Sequence, residues 1–271
     1  MLNNSNGIQS PSLMLMLMEG RAPWEFGAYL ASTPLFKRLP KGDGHPVLVL
    51  PGLAASDTST APLRKFLRDR NYLPFGWELG RNLGLREGLL KGMLERIDTI
   101  FEQQGEKISL VGWSLGGVYA RELAKFRSDK IRQVITLGSP HSGDVNATNA
   151  RRFYEYVAGH SVDSPPIETR LRQAPPVPSS SIYTKSDGVV AWQNCCQEMS
   201  ADEVQSGQAE NIRVAGSHCG LGVNPSVLYV IADRLVQEDG QWSPFDVSGL
   251  RKPFFQVASY NNIEPEEAPL N

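Results

Sequence analysis

The sequence predicts a single α/β domain over residues 1–271, in which helices cover both faces of a mostly parallel sheet. Three observations favour this fold class. Apolar segments of strand length alternate with amphipathic helical segments along most of the chain. The first strand-like segment, PVLVLPG at 46–52, is apolar throughout, which is typical of a strand buried on both faces. With 271 residues, 41% of them hydrophobic, the chain can form one large core, and no change of composition marks a second domain.

The predicted elements follow one another in the order that such a sheet requires. Residues 13–36 are rich in Met, Leu and aromatic side chains, and predict a partly helical lead-in that covers apolar surface. The segments with strand character are 46–52, 107–112, 131–138, 180–185 and 211–216. The segments with helical character are 60–70, 87–104, 116–127 and 225–232. In such sheets the chemistry gathers in the loops at the carboxyl ends of the strands.

Charge and composition exclude several classes of function. The 27 basic and 29 acidic residues leave a net charge of −2, which provides no basic surface for nucleic acid or an anionic membrane. The apolar run LMLMLM at 13–18 is too short to span a membrane and has no basic residue before it, unlike a signal peptide. We therefore expect a soluble, cytoplasmic protein without integral membrane association. No cysteine spacing of the metal-binding kind is present.

A serine between two glycines is the strongest chemical signal. VGWSLGG at 111–117 contains the G-x-S-x-G pattern around Ser114, where a predicted strand meets a predicted helix. Such a serine needs a strained backbone, and Cβ atoms at positions 112 and 116 would collide with their surroundings. The start of the following helix also favours negative charge beside Ser114. The alternative is an ordinary glycine-rich turn with a capping serine.

On these residues the chain resembles the α/β-hydrolase superfamily, and within it a group of bacterial lipase- and esterase-like proteins. The resemblance extends from GHPVLVLPGL at 44–53 to GLGVNPSVLYVIADRL at 220–235. It implies an α/β-hydrolase fold with a small cap insertion, and a nucleophile, an acid and a histidine that follow one another in that chain order.

This order selects one of the four histidines as the base. His218 follows the last predicted strand on the glycine-rich loop VAGSHCGLG, where the base belongs. His45 precedes both a strand and Ser114, which favours a surface role. His141, in LGSPHSG, resembles a structural histidine near the pocket of bacterial lipases. His160 lies in an irregular segment and has no identified partner.

The same order selects Asp187 as the acid. It lies in IYTKSDGVVAW, directly after a predicted strand, and resembles the acid loop of the lipase-like proteins. The competing interpretation is a plain Asp-Gly turn. Asp163 and Asp144 are alternative acids, but neither follows a strand that could direct it toward His218.

The chemistry of a serine nucleophile also requires donors for the tetrahedral oxyanion. We expect the backbone N–H of Leu115, after the nucleophile, and that of Leu53 in PGLAAS, after the first apolar strand. Many relatives carry His-Gly where this chain has Pro51-Gly52, and the chain lacks an HGGG loop. The loop therefore resembles that of lipases more than that of esterases for short acyl groups.

The predicted function is hydrolysis of a small-molecule ester or lipid through an acyl-enzyme, with Ser114, His218 and Asp187 as a triad and with no cofactor or metal. One alternative is an acyltransferase with the same triad. Another is a non-catalytic binding protein, although such a protein has no need of all three residues. The oligomeric state is not predicted.

A cap is predicted from 143 to 178, because this stretch fits no alternation of strand and helix. Within it, residues 147–158 could form a short helix whose apolar side, with Phe153 and Tyr154, roofs the acyl site. The alternative is a loop that merely covers core. Phe153, Tyr154 and Trp113, the neighbour of Ser114, are the candidate substrate-binding residues.

The three cysteines leave two alternatives open. Cys195 and Cys196 lie shortly after the acid loop and Cys219 directly follows the predicted base, so a disulfide could join the two loops. Three reduced thiols are the interpretation that fits a cytoplasmic protein.

Overall fold

The structure, a computed structural model, describes residues 8–142, 148–149, 174–197 and 208–258. In these residues the strands are β1 (Pro46–Leu50), β2 (Leu73–Gly76), β3 (Ile108–Trp113), β4 (Ile131–Leu137), β5 (Ser179–Tyr183), β6 (Ala209–Arg213) and β7 (Gln256–Ala258). They form one sheet in the order β2-β1-β3-β4-β5-β6-β7. Neighbouring strands are parallel except β6 and β7, which are antiparallel.

Helices pack on both faces of this sheet, as predicted. They are α1 (Leu13–Met18), α2 (Ala22–Phe36), α3 (Ala61–Asp69), α4 (Leu89–Gln104), α5 (Leu115–Phe126) and α6 (Pro225–Leu235). Successive side chains of a strand point to opposite faces. Val47 and Val49 of β1 therefore join a core cluster with α2, α3 and α6, whereas Leu48 and Leu50 join a second cluster with α4 and α5.

The predicted strands are present within a few residues of their expected bounds, but two edge strands were not predicted. β2 has four residues, includes a proline and is partly exposed, so it lacks the continuous apolar run of a buried strand. β7 has three residues and pairs with β6. The predicted lead-in is helical, and Tyr29 and Phe36 of α2 are buried in the core.

The surface role expected for His45 is wrong. This residue is 1% exposed because it directly precedes β1, which lies inside the sheet. Its Nε2 lies 2.8 Å from Oγ of Ser109 in β3, and its Nδ1 lies 2.5 Å from Oδ1 of Asp43. The ring of Tyr72 packs edge-on against the imidazole at 5.1 Å. Ser109 of β3 and the ring of Tyr72 thus enclose His45, and neither contact is visible in the sequence around position 45.

Most of the predicted cap falls outside the described residues. Phe153, Tyr154, His160, Asp144 and Asp163 are among the residues outside, so their predicted roles stay predictions. Two described residues of this segment, Thr148 and Asn149, lie beside the loop that follows β5. The Thr148 hydroxyl donates to the Val189 carbonyl at 2.9 Å, and the Asn149 side-chain amide donates to the Gly188 carbonyl at 2.8 Å.

Two further expectations concern membranes and thiols. In the described part of the chain, no helix has both the length and the apolar character needed to cross a bilayer. All three cysteines are described and are free thiols: Cys195 and Cys196 are buried, and Cys219 is exposed.

Candidate active site

Ser114 occupies the sharp corner between β3 and α5. Its backbone has φ 52° and ψ −122°, a conformation that is costly for a residue with a side chain. A Cβ at Gly112 would lie 2.3 Å from Cα of Gly117, and one at Gly116 would lie 2.3 Å from the Leu50 carbonyl oxygen. Both positions therefore require glycine, which confirms the predicted packing of the motif.

The structure brings Ser114, His218 and Asp187 together in a hydrogen-bonded chain. His218 Nε2 lies 3.0 Å from Ser114 Oγ, and His218 Nδ1 lies 2.7 Å from Asp187 Oδ2. An ionised carboxylate only accepts hydrogen bonds, so the proton of the neutral imidazole lies on Nδ1. Nε2 is then free to accept the proton of the Ser114 hydroxyl.

The charge of Asp187 determines the electrostatics of the imidazole. Burial lowers the pKa of His218, but the carboxylate of Asp187 and, more weakly, that of Glu19 outweigh this effect and raise the pKa above its ordinary value. His218 is therefore a stronger base than a free imidazole. Such a base is suited to accept the proton of a serine hydroxyl.

Asp187 is held in place by its own loop. Its Oδ1 accepts hydrogen bonds from the N–H groups of Val189 at 2.8 Å and Val190 at 2.7 Å, which leaves Oδ2 directed at His218. Gly138, directly after β4, approaches this pair closely: a Cβ there would lie 3.0 Å from His218 Nδ1. The acid loop (residues 184–190) and the end of β4 thus fix the carboxylate together.

The base loop (residues 214–220) is tied to the acid loop through one carbonyl group. The carbonyl oxygen of Gly216 accepts from the hydroxyls of Thr184 at 3.0 Å and Ser186 at 2.8 Å. Trp113 supports the same loop, because its indole N–H donates to the His218 carbonyl at 3.1 Å. The substrate-binding role of Trp113 stays a prediction, whereas its contact with the base loop is observed.

The two predicted oxyanion donors lie on the loops that flank Ser114. Leu115 begins α5, and a Cβ on Gly52, which precedes Leu53, would lie 3.3 Å from Cβ of Ser114. In the described ranges, neither the Leu115 N–H nor the Leu53 N–H donates to a backbone carbonyl. Their role toward an oxyanion stays a prediction.

Sequence reasoning missed Asn82, which holds the loop after β1. Its buried side-chain amide donates to the Pro51 carbonyl at 2.8 Å, and its backbone carbonyl accepts from the Ala54 N–H at 2.6 Å. No sequence pattern marks this residue, because its role depends on a contact 31 positions away.

Sequence reasoning also missed three charged residues at the start of the chain. Glu19, Arg21 and Glu25 contact the acid and base loops. In the described residues, the site included, no group of three or more His, Cys, Asp and Glu side chains has the arrangement of a metal site.

A sequence model of the palmitoyl protein thioesterase family matches residues 46–201, which is more than half of the chain. The chain belongs to this family. The match covers Ser114 and Asp187 and ends before His218. The match thus places the chain in a family of the lipase, esterase and thioesterase type. No curated protein sequence matches the chain significantly.

Solved structures confirm the fold of this palmitoyl protein thioesterase family member. Lipase B of Aspergillus fumigatus is 16% identical with a TM-score of 0.53, over 74% of this chain and 54% of the lipase. The chain thus spans about half the length of that enzyme. A second solved structure comes from work on LipS and LipT, two metagenome-derived lipolytic enzymes. It is 13% identical with a TM-score of 0.50, and the match covers 72% of this chain and 93% of that enzyme's chain. At such identities the likeness establishes the α/β-hydrolase fold and nothing finer.

Proposed function

We propose that this protein hydrolyses carboxylic esters of acyl groups, including thioesters, through a covalent acyl-enzyme on Ser114. The observation that carries the proposal is the hydrogen-bonded chain from Ser114 Oγ through His218 to Asp187, with distances of 3.0 Å and 2.7 Å. A serine hydroxyl is a weak nucleophile and needs a base within hydrogen-bond reach. This geometry provides that base.

The first half-reaction forms the acyl-enzyme. Ser114 Oγ attacks the carbonyl carbon of the ester while its proton passes to His218 Nε2. The resulting imidazolium is stabilised by the Asp187 carboxylate, which remains ionised. Nε2 then returns the proton to the leaving alcohol or thiol as the bond between it and the acyl carbon breaks.

The second half-reaction regenerates the enzyme. Water attacks the acyl carbon and gives a proton to His218 Nε2. The bond from the acyl carbon to Oγ breaks, the carboxylic acid leaves, and the proton returns to Ser114. In both half-reactions the N–H groups of Leu53 and Leu115 are the proposed donors to the oxyanion, and such a donor contributes about 3–4 kcal/mol to transition-state stabilisation.

Family membership and the fold support the breadth of the proposed substrate class. The family is described as palmitoyl protein thioesterase, which motivates a thioester as one substrate, and the fold neighbours are lipolytic enzymes. The chemistry of Ser114 is the same for an oxygen ester and a thioester, since both present a carbonyl carbon with a leaving group. The leaving group and acyl length must be measured.

The test compares the parent protein with Ser114→Ala on two substrate series. One series is p-nitrophenyl esters from acetyl to palmitoyl, and the other is acyl thioesters whose released thiol is titrated. We expect the parent to hydrolyse members of at least one series, and the alanine variant to lose several orders of magnitude in kcat while it stays folded. A fluorophosphonate should label Ser114 and no other serine.

Two outcomes would contradict the proposal. One is a parent protein that is inactive on both series, and the other is an alanine variant that retains more than a few per cent of the parent rate. Product analysis with added methanol separates hydrolysis from acyl transfer, because a transferase forms the methyl ester in preference to the acid.

A further inference from the structure

The N-terminal strap, defined here as residues 15–25, lies across the acid loop and the base loop. It contains the end of α1, the short 3-10 helix Glu19–Arg21 and the start of α2. Its backbone touches the acid loop so closely that a Cβ at Gly188 would lie 2.3 Å from the Leu15 carbonyl oxygen. The strap therefore packs directly against the residue that follows the predicted acid.

One carboxylate of the strap binds both loops through their backbones. Oε1 of Glu19 accepts from the N–H of Gly188 at 2.8 Å and from the N–H of His218 at 3.0 Å. Oε2 of Glu19 accepts from the N–H of Cys219 at 2.8 Å. A single side chain thus connects the residue after the acid with the backbone of the base itself.

These three donors also keep Glu19 ionised. Burial raises the pKa of its carboxyl group, but the hydrogen bonds from Cys219, Gly188 and His218, with the charge of His218, lower the pKa below its ordinary value. Hydrogen bonds to an ionised acceptor are roughly twice as strong as those between neutral groups. The contact is therefore strongest in the state that Glu19 has at neutral pH.

Two neighbours on the strap hold other parts of the same loops. Arg21 donates to the Gly216 carbonyl at 2.6 Å and to the Ser186 carbonyl at 2.9 Å. Glu25 accepts from the Ser217 N–H at 2.7 Å. Arg21 joins the two loops through carbonyl groups and Glu25 contacts the base loop, whereas Glu19 receives the backbone N–H of His218.

We propose that Glu19 is a positioning residue of the active site, which holds the acid and base loops in register so that His218 stays between Ser114 and Asp187. The inference rests on the proposed function, because it assigns Glu19 a part in the same reaction. The side chain of Glu19 accepts from the backbone N–H groups of Gly188, His218 and Cys219, so it acts on the base through the backbone of His218.

A second effect of Glu19 follows from its charge. Among the described residues, the groups that face His218 are Asp187 from the acid loop, Ser114 from the corner before α5 and Glu19 from the strap. Arg21 and Glu25 of the strap contact the neighbouring Gly216 and Ser217. Cys219 adjoins His218 on the base loop and is a thiol of raised pKa, so it is uncharged at neutral pH. Removal of the negative charge of Glu19 should therefore shift the His218 titration to lower pH.

The test uses two substitutions that separate position from charge. Glu19→Gln removes the charge, and its amide has one acceptor oxygen for three donors, so at least one backbone hydrogen bond is lost. Glu19→Asp keeps the charge but is one methylene too short to reach all three donors. We expect kcat to fall about tenfold or more in both variants, with KM changed by less than about twofold, because the base is misplaced while the acyl site is intact.

The pH dependence distinguishes the two variants. The acid limb of the pH–rate profile should move to lower pH in Glu19→Gln and should move less in Glu19→Asp. Glu25→Gln is the matched control on the same strap: it loosens the base loop at Ser217 and should shift the limb less than Glu19→Gln. Glu95→Gln, on the exposed face of α4, should leave rate and profile unchanged. If glutamine at position 19 prevents folding, the Glu19→Asp comparison still tests the positioning role.

A measurement without turnover keeps this inference separate from the proposed function. In the Ser114→Ala background, the His218 imidazole is titrated by NMR with ¹³C-labelled histidine, and its signal is identified by its loss in His218→Gln. A lower titration midpoint with Glu19→Gln supports the placement of Glu19 even if no substrate is found. A parent-like kcat together with an unshifted His218 titration in Glu19→Gln would overturn the role of Glu19. So would an equal loss of kcat in Glu19→Gln and Glu25→Gln with no shift of the His218 titration in Glu19→Gln.

Discussion

In the described part of the chain, two serines contact a histidine that in turn contacts an aspartate, and their surroundings give them different chemistry. Ser109 Oγ lies 2.8 Å from His45 Nε2, but this serine is fully buried near the start of β3. Ser114 is partly accessible at the corner before α5, where free N–H groups can stabilise an anion. Burial lowers the pKa of His45, whereas Asp187 raises that of His218. Hydrogen-bond connectivity alone therefore does not make a nucleophile.

The predicted base and acid can be tested through the pH dependence of the rate. Hydrolysis needs neutral His218, and its pKa is raised, so kcat/KM of the parent should rise through a midpoint above about 6.5, the ordinary value for imidazole. Asp187→Asn removes the charge that raises the pKa of His218, so the acid limb of the pH–rate profile should move to lower pH. The rate should also fall by roughly 10⁴-fold, because the imidazole is left in the wrong tautomer.

His218→Ala is the companion variant and should be as inactive as Ser114→Ala. His45→Ala removes the other histidine that contacts a serine and an aspartate, and it serves as the control for effects on packing. Full activity in Asp187→Asn would place the acid elsewhere, and Asp163 would be the next residue to test.

At the scale of the elements, the end of β4 lies so close to Asp187 and His218 that position 138 has no room for a side chain. Gly138 has φ +56°, and a Cβ there would lie 2.7 Å from Leu221 Cδ1 and 3.0 Å from His218 Nδ1. We expect Gly138→Ala to displace the imidazole and lower kcat by about tenfold or more. The left-handed backbone should also cost about 1–2 kcal/mol of stability, measured by denaturant unfolding.

Gly105→Ala provides the matched control for this substitution. Gly105 has φ +70° at the end of α4, and a Cβ there would meet no atom within 4 Å. It should cost a similar amount of stability with no change in kcat. Equal kinetic effects in the two variants would show that backbone strain, rather than the contact with His218, limits position 138.

The elements predicted from sequence are those whose pattern is local. β1, β3 and β4 are buried on both faces, so their apolar runs identify them directly. The corner at Ser114 was predictable because Gly112 and Gly116 are required by contacts within a strand, a turn and a helix. β2 and β7 were not predictable, because short edge strands bury too little to impose a pattern on their residues.

At the scale of the whole molecule, the reactivity of the three thiols reports on global unfolding. Burial raises the pKa of Cys195 and of Cys196, and both are enclosed by the folded chain. Desolvation of the Cys219 sulfur and the carboxylate of Glu19 raise the pKa of this exposed residue to about 12. Since the thiolate is the reactive form, all three should react slowly in the native protein.

Titration with an aromatic disulfide reagent checks this expectation. We expect three thiols in denaturant, and in the native protein one slow reaction, at Cys219. The reactions of Cys195 and Cys196 should accelerate in step with unfolding. One thiol in denaturant would instead indicate a disulfide between the two loops.

The part of the site that sequence could not predict is its long-range support. The chain order that the resemblance implies predicted Ser114, Asp187 and His218, each of which follows a recognisable strand, and the structure brings these three side chains together. Glu19 follows no strand and contacts residues 169 to 200 positions away. A carboxylate in the predicted partly helical lead-in has no local feature that distinguishes it from a solvated glutamate on a helix surface.

The span between the N-terminal strap and the base loop also bears on how the molecule folds. Glu19 and His218 are 199 positions apart, and contacts of such separation carry the largest loop-closure cost. On a ribosome, Glu19 can meet Gly188 once the acid loop has emerged, but its contacts with His218 and Cys219 must wait for the base loop, although β1 to β5 can already pair. We therefore expect catalytic competence to appear after the parallel strands β1 to β5 have paired, as a separate and later event in biosynthesis.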